Sequence, residues 1–590
     1  MVERVAATES VISTPVRRKY FESLRRILGS SGVISLREEQ FFLMLAIVIG
    51  VFAGLLVVLF RLLIEGLRLY LLGSSLRPPF PRVVWVPTLV GLLLAVGMIH
   101  FFKRIRGSGV NQTKGALYIY DGYIGTDTVI GKFFLSALAI GSGQSLGPED
   151  PSLQIGAGLA SAIGRRLKLS RERLRLIAPV GAAAGLAAAF NSPITAVLFV
   201  IEEVIGRWSA GILGAIVLSA ISSVVVERWF LGDAPLFRIP PYHLEHPGEL
   251  VAYAALGVIG GFASLVFVKL VAYLRPKFRQ LPKATQYFQP AIAGLLIGLI
   301  GIRYPQVMGA GYDYIDQAMH GRFPWELLAV LAGLKLLATT LSFVSGTPGG
   351  LFAPTLFMGA MIGGAVGSIE QHFFPNLAIS AGAYALVGMG TLFAGIMRAP
   401  MTSVFMMLEV TGNYSIIVPV IISNAIAYFI SRTFQPTPIF DMLSRQDGLD
   451  LPSLEEEREL AILRVEDAMQ APGTRALMSD ESLATAQALA NSSRDDFFLV
   501  SLTDGHWQGI SRDALMNIAG DPGSTIVKFI NMNLPVLHPD HSLDHALRVM
   551  EEWPMVPVVH RADFRRLVGV VAIQDILKVY RSSQVREEDV

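Results

Sequence analysis

The stretch from Gly141 to Gly156, GSGQSLGPEDPSLQIG, sets two carboxylates, Glu149 and Asp150, between a glycine-rich turn and a helical start led by Pro151. The flanking sequence is apolar. A charge at the centre of a membrane-spanning helix costs ~2.5 to 3.5 kcal/mol on insertion scales, so an ionisable group there is a functional candidate. Glycines ahead of Pro151, Gly147 among them, leave backbone N–H groups free to face a ligand, and the new helix adds the positive end of its dipole. This is the chemistry of an anion site with a carboxylate inside it. When the anion is absent, the ionised side chain occupies the same amides, and protonation releases them. A proton and an anion then compete for one place. Taken alone, the loop also fits a buried glutamate satisfied by backbone at a helix start.

A second acidic pair, Glu202 and Glu203, ends the apolar run FNSPITAVLFVIEE from Phe190. Adjacent helical residues point ~100° apart, so only one of them lines a given face. In isolation the pair suits a helix end in water equally well. Lys132, by itself, reads as a helix-end lysine that snorkels.

Elements able to hold these groups must lie mostly in a membrane. Of 590 residues, 52% are hydrophobic and 16% charged, against about 25% charged in ordinary soluble domains. The net charge of +2 gives no broad basic field for nucleic acid. The absence of cysteine excludes disulfides, thiolate metal sites and cysteine nucleophiles. No P-loop, metal cluster or catalytic triad is legible, so no enzyme activity, required cofactor or metal is expected. Residues 1–40 carry Arg17, Arg18, Lys19, Arg25, Arg26 and Arg37 without an early apolar core. They read as a cytoplasmic segment rather than a cleaved signal. The basic run from Arg165 to Arg175 reads as a cytoplasmic connection by the same rule.

Residues 43–72 exceed the ~20 needed to span, which predicts a long tilted helix. Ten further apolar runs follow up to residue 431, several short or broken by Gly and Pro. That pattern predicts discontinuous helices meeting at the midplane. Ser142, Gly143, Gly147, Pro151, Leu153 and Gly156 recur 203 positions later as Ser345, Gly346, Gly350, Pro354, Leu356 and Gly359. PITAVLFVIE from Pro193 recurs as PMTSVFMMLE from Pro400 at a spacing of 207. Two collinear matches imply a duplicated membrane unit, about 41–235 and 245–435, with a site between the halves. Spacing leaves open whether the halves are parallel or inverted.

Pro436 and Pro438 end the last apolar run, and 446–462 reads as a linker. Beyond it Leu477, Asp480, Ser482, Leu483 and Ala486 recur 60 positions on as Leu537, Asp540, Ser542, Leu543 and Ala546. Two small α/β modules are expected, at 463–520 and 521–585.

Together GSGVNQTKGAL from Gly107, the GPEDP loop, FNSPITAVLFVIEE and GGLFAP from Gly349 resemble, in order over about 41–445, the CLC family of chloride channels and chloride/proton exchangers. The tail is similar to the paired CBS domains that many members carry. The resemblance implies an all-α polytopic membrane domain of two inverted repeats of broken, tilted helices, assembled as a homodimer in the lipid bilayer, followed by a cytoplasmic α/β CBS pair. It implies chloride as substrate, with bromide and nitrate permeant, exchanged for protons. A prokaryotic inner membrane is expected. Ser108 would offer a hydroxyl to the central anion, and the Leu351 and Phe352 amides would hold an outer position. Glu149 matches the gating glutamate and Glu203 the internal proton-transfer residue, while Lys132 matches a lysine that keeps the pathway positive. In the tail, Gly569 to Asp575 fits the spacing that places an Asp on the ribose of an adenine nucleotide. Asp575 is therefore a candidate nucleotide ligand, with a purely structural CBS role equally open.

The chain departs from the family pattern in three places. Gly147-Pro148-Glu149-Asp150-Pro151 loses a basic residue and gains an acid beside the gate, and two neighbouring carboxylates disfavour joint ionisation. Phe440 stands where a tyrosine hydroxyl usually meets the central anion, leaving that site to Ser108 and backbone amides such as those of the Gly147–Pro148 loop. Asn111 replaces a proline, with a local effect expected. The expected function is a secondary active chloride/proton antiporter. A passive chloride channel of the same fold is the alternative, favoured by the GPEDP loop and Phe440 and opposed by the retention of Glu203.

Overall fold

The structure, a computed structural model, describes residues 38–451 and 463–588, apart from 76, 103–104, 207–209, 235, 238–247, 374–380, 450, 474–475, 494, 503–505, 531–532, 552 and 562. Residues 1–37 of the expected N-terminal segment, and most of the expected linker, lie outside the described residues. The chain divides into two compact units, Met1–Pro452 and Ser453–Val590.

The first unit is helical. Among the described residues eight helices are long and apolar enough to cross a membrane, the most apolar being Gln40–Leu72, with Gln289–Arg303 and Ala381–Met397 shorter. Others stop well short of a span, such as Gly109–Tyr118, Pro193–Phe199 and Ile439–Gln446. Their ends, with the starts of Glu149–Arg166 and Phe352–Phe373, supply the free backbone amides of the interior.

The duplication read from spacing is physical. Gly143 and Gly346, 203 positions apart, turn the chain at φ +98° and +83°, a region open to glycine and strained for most other residues. Helix Glu149–Arg166 packs on Arg171–Phe190 as Phe352–Phe373 packs on Ala381–Met397. A Cβ on Gly156 would stand 2.2 Å from the Gly181 carbonyl, and one on Gly359 would stand 2.3 Å from that of Gly388. Each pair approaches as closely as small residues allow, which is how helices associate without a hydrophobic driving force. Between the repeats, Gly147 and Gly350 exchange two N–H···O=C bonds of 2.8 Å in an antiparallel bridge. Equivalent segments thus meet head to tail about a local two-fold axis, as an inverted duplication requires.

The second unit holds a four-stranded sheet in the order Ala476–Met478, Phe497–Ser501, Trp507–Ser511, Asn533–Leu534, its first pair parallel and the others antiparallel. Met555–His560 and Asp563–Ala572 form an antiparallel pair with a register irregularity. Two repeated modules are present, but their cores cross the expected boundary at 520/521. Ile526 and Ile530 pack with Leu477, Phe498 and Ile510, while Val465 and Ala468 pack with Leu537, Val556 and Ile576. Each module completes its core with a segment that precedes the other in sequence. Spacing cannot reveal such an exchange, because it reports similarity and not packing.

Candidate anion site

Ser108 caps helix Gly109–Tyr118, its Oγ accepting from the Val110 amide at 3.1 Å. The same hydroxyl donates to Asp150 Oδ1 at 2.8 Å. The amides of Gly109 and Val110 donate to the two oxygens of Asp150 at 2.9 and 3.0 Å. A carboxylate therefore sits on the first-turn donors of this helix, 2% exposed.

Glu149, one residue earlier, turns the other way. It opens helix Glu149–Arg166 behind Pro148, so the helix begins two residues ahead of Pro151. Its carboxylate is fully buried and accepts from the Ala353 amide at 3.3 Å and from the Tyr312 hydroxyl. Ala353 lies in the first turn of Phe352–Phe373, directly after Leu351 and Phe352, both buried. Gly147 leaves the room for this fold-back, since a Cβ there would stand 2.3 Å from Glu149 Oε2. The expectation that Gly147 and Pro148 offer free amides is corrected: the Gly147 N–H is spent on the Gly350 carbonyl, and Pro148 has none. They shape the turn that aims the acids.

Two fully buried lysines brace the surrounding turns in the same way. Lys132 Nζ donates to the Gly107 carbonyl at 2.8 Å, and Lys335 Nζ to the Gly309 carbonyl at 2.6 Å. Lys132 stays inside rather than snorkelling, and its counterpart lies 203 positions on.

The second acidic pair divides its labour as helical geometry demands. Both residues lie in a π-helical turn, Val200–Ile205, of a type frequent at functional sites. Glu202 accepts from the Thr402 amide at 2.8 Å and its hydroxyl at 2.7 Å. Glu409 does the same for Thr195, at 2.7 Å each. These are reciprocal caps between the repeats. Glu203 faces elsewhere: its Oε1 accepts from Lys114 Nζ at 2.8 Å, and that ammonium also reaches Asp441 Oδ1 at 3.0 Å. All three are buried.

Phe440 presents a ring, centred 6.3 Å from those of Phe352 and of Phe199, and its carbonyl accepts from Asn111 Nδ2 at 2.8 Å. Asn111 thereby ties Gly109–Tyr118 to Ile439–Gln446, a local effect. No hydroxyl comes from position 440. Two cavities reach residues next to the acids. One, of about 480 Å³, is lined by Arg61, Arg68, Pro148 and Tyr312 among others. A smaller one, of about 50 Å³, is lined by Arg106, Arg275 and Arg279 and reaches Gly107. Pro148, in the larger cavity, directly precedes Glu149, and Gly107, in the smaller, directly precedes Ser108.

Asp575, in the second unit, is 8% exposed, its carboxylate turned to its own Ala572 amide at 3.3 Å and towards Lys578. It caps the last helix. Sequence reasoning overlooked Tyr312, Lys114, Asp441 and Lys335. Carrying the repeat across GSGVNQTK from Gly107 gives GAGYDYID from Gly309, which would have placed Tyr312 at a helix start. Nothing in the sequence pairs Lys114 with Glu203 or Asp441, 89 and 327 residues away.

Comparison with known proteins is consistent with this geometry. The model of the voltage gated chloride channel family matches residues 90–432, and that of the CBS domain matches 527–582. A ClcB-like chloride channel protein of Ralstonia nicotianae is 30% identical over 426 residues, 69% of this chain and 99% of that protein. The H(+)/Cl(-) exchange transporter ClcA of Vibrio campbellii is 32% identical over 418 residues, 68% of this chain and 88% of its own. Among solved structures, a slow cyanobacterial Cl-/H+ antiporter superposes with a TM-score of 0.65 at 24% identity, covering 70% of this chain and 99% of that one.

Proposed function

Because this chain belongs to the voltage gated chloride channel (CLC) family and carries a C-terminal CBS domain, we propose that it is a chloride/proton antiporter in which Glu149 is the moving gate. The observation that carries the reading is the seat of Glu149: a carboxylate held by an amide and a hydroxyl in a helix first turn, where a halide would be held by the same donors. Protonation removes the charge that those donors hold, and an anion takes its place. Ser108 and the amides of the Gly109–Tyr118 helix form the inner anion position, with the Leu351 and Phe352 amides beside the outer one. Lys132 supplies buried positive charge. Glu203 passes protons on the side away from Glu149. Bromide and nitrate share the donors that chloride uses, because amides and a hydroxyl select for charge more than for shape.

The reading includes a homodimer in a prokaryotic inner membrane, with the N-terminus and the CBS modules in the cytoplasm. The CBS pair is structural or regulatory in it. The inward turn of Asp575 fits a ribose ligand poorly. A passive channel of the same fold is the second reading. The pairing of Glu203 with Lys114 favours it, because that contact must open before Glu203 can hand a proton on.

Proteoliposomes with an outward chloride gradient separate the two. Exchange drives protons against their own gradient, whereas a channel moves chloride alone. In Glu149→Gln proton movement is expected to vanish while chloride flux persists. Uphill proton flux retained in that variant would remove Glu149 from the gate.

A further inference from the structure

Taking the first turn of Gly109–Tyr118 as the inner anion position, which rests on the function proposed above, we propose that Asp150 is a second tethered anion: its carboxylate fills that position, and a transported anion reaches it only after Asp150 swings aside.

The contacts exceed what a helix cap needs. Ser108 Oγ already accepts from the Val110 amide at 3.1 Å, so the helix has its own cap from its own N-terminal residue. Asp150 arrives from 42 residues away and takes three donors: the Ser108 hydroxyl at 2.8 Å and the amides of Gly109 and Val110 at 2.9 and 3.0 Å. These are the donors a halide would use there. The next residue back, Glu149, does the same at the other repeat, on the Ala353 amide. Two consecutive carboxylates thus fill one helix start in each half. The seat is fitted to the side chain, because a Cβ on Gly350 would stand 2.8 Å from that of Asp150. The smaller cavity brings Arg106, Arg275 and Arg279 to Gly107, one residue from Ser108; Arg275 and Arg279 share the Asp447 carboxylate, so positive charge remains in excess beside an occupied site.

The charges facing Asp150 come from two elements. Lys132, on Thr126–Gly141, attracts its carboxylate. Glu149, on its own helix, repels it. Lys114, on the helix that it caps, is engaged by Glu203 and Asp441. The exchange balances in charge: the Asp150 carboxylate leaves its three donors as one anion takes them, and returns when the anion leaves.

Chloride binding to the purified full chain, measured calorimetrically between pH 5 and 8, tests this. Asp150→Asn keeps the acceptor oxygen and removes the charge. It is expected to bind chloride on the order of tenfold more tightly at pH 7.5. Asp150→Ala, with its melting temperature measured alongside, shows how much of the seat is structural. If Glu149→Gln alters chloride binding and Asp150→Asn does not, Asp150 is only a cap and the inference falls while the proposed function stands. If neither alters it, the anion position is misplaced and both fall.

Discussion

Lys114 shows how much one side chain decides. Its ammonium, 3% exposed, lies between two carboxylates, Glu203 at 2.8 Å and Asp441 at 3.0 Å. A buried pair is worth little net, but removing one partner strands the other, at ~3 to 5 kcal/mol. Lys114→Met is therefore expected to lower the melting temperature of the detergent-solubilised protein sharply. Adding Glu203→Gln should recover part of the loss, because it removes one of the stranded charges. A double-mutant cycle that showed no coupling would mean that the contact carries no energy. The sequence disclosed the acids and the donors separately. Glu149, Asp150 and the pair Glu202 and Glu203 stand out because charge in apolar sequence is expensive, whereas Ser108 is singled out only by the family resemblance of its GSG motif. Which acid meets which donor was hidden. Asp150 finds Ser108 across 42 residues, and Glu149 finds Ala353 across 204, through a turn whose direction depends on the bridge between Gly147 and Gly350.

At the level of elements, the reciprocal caps make the duplication testable. Glu202 ends one short helix and caps Pro400–Thr411, while Glu409 ends that helix and caps Pro193–Phe199. Each carboxylate serves a threonine amide and hydroxyl, charge-assisted bonds worth ~1.5 to 3 kcal/mol. Glu202→Gln and Glu409→Gln should destabilise by similar amounts in thermal melts and leave proton coupling intact. A coupling defect confined to Glu202→Gln would place that residue on the proton path instead of Glu203. The matched PITAVLFVIE and PMTSVFMMLE segments made the two short helices legible, down to the glutamate that closes each. What each glutamate binds was not legible, because a periodic match locates equivalent residues without saying that they meet. The same limit explains the CBS modules, whose spacing of 60 was evident and whose exchanged core segments were not.

For the molecule as a whole, the division at Pro452 separates transport from whatever the tail does. Every residue assigned to the anion and proton steps, from Ser108 to Asp441, belongs to the first unit, and so do both cavities that approach them. The Ralstonia relative matches over 99% of its length using only 69% of this chain, so a membrane unit of this size stands in that protein without a comparable tail. Removal of residues 453–590 is therefore expected to preserve both chloride flux and proton coupling in proteoliposomes, with at most a change in rate. The measurement needs a melting curve of the truncated protein beside that of the full chain. A truncated protein that melts like its parent and yet passes no chloride would show that the second unit holds the pathway open, and the separation of roles drawn here would fail.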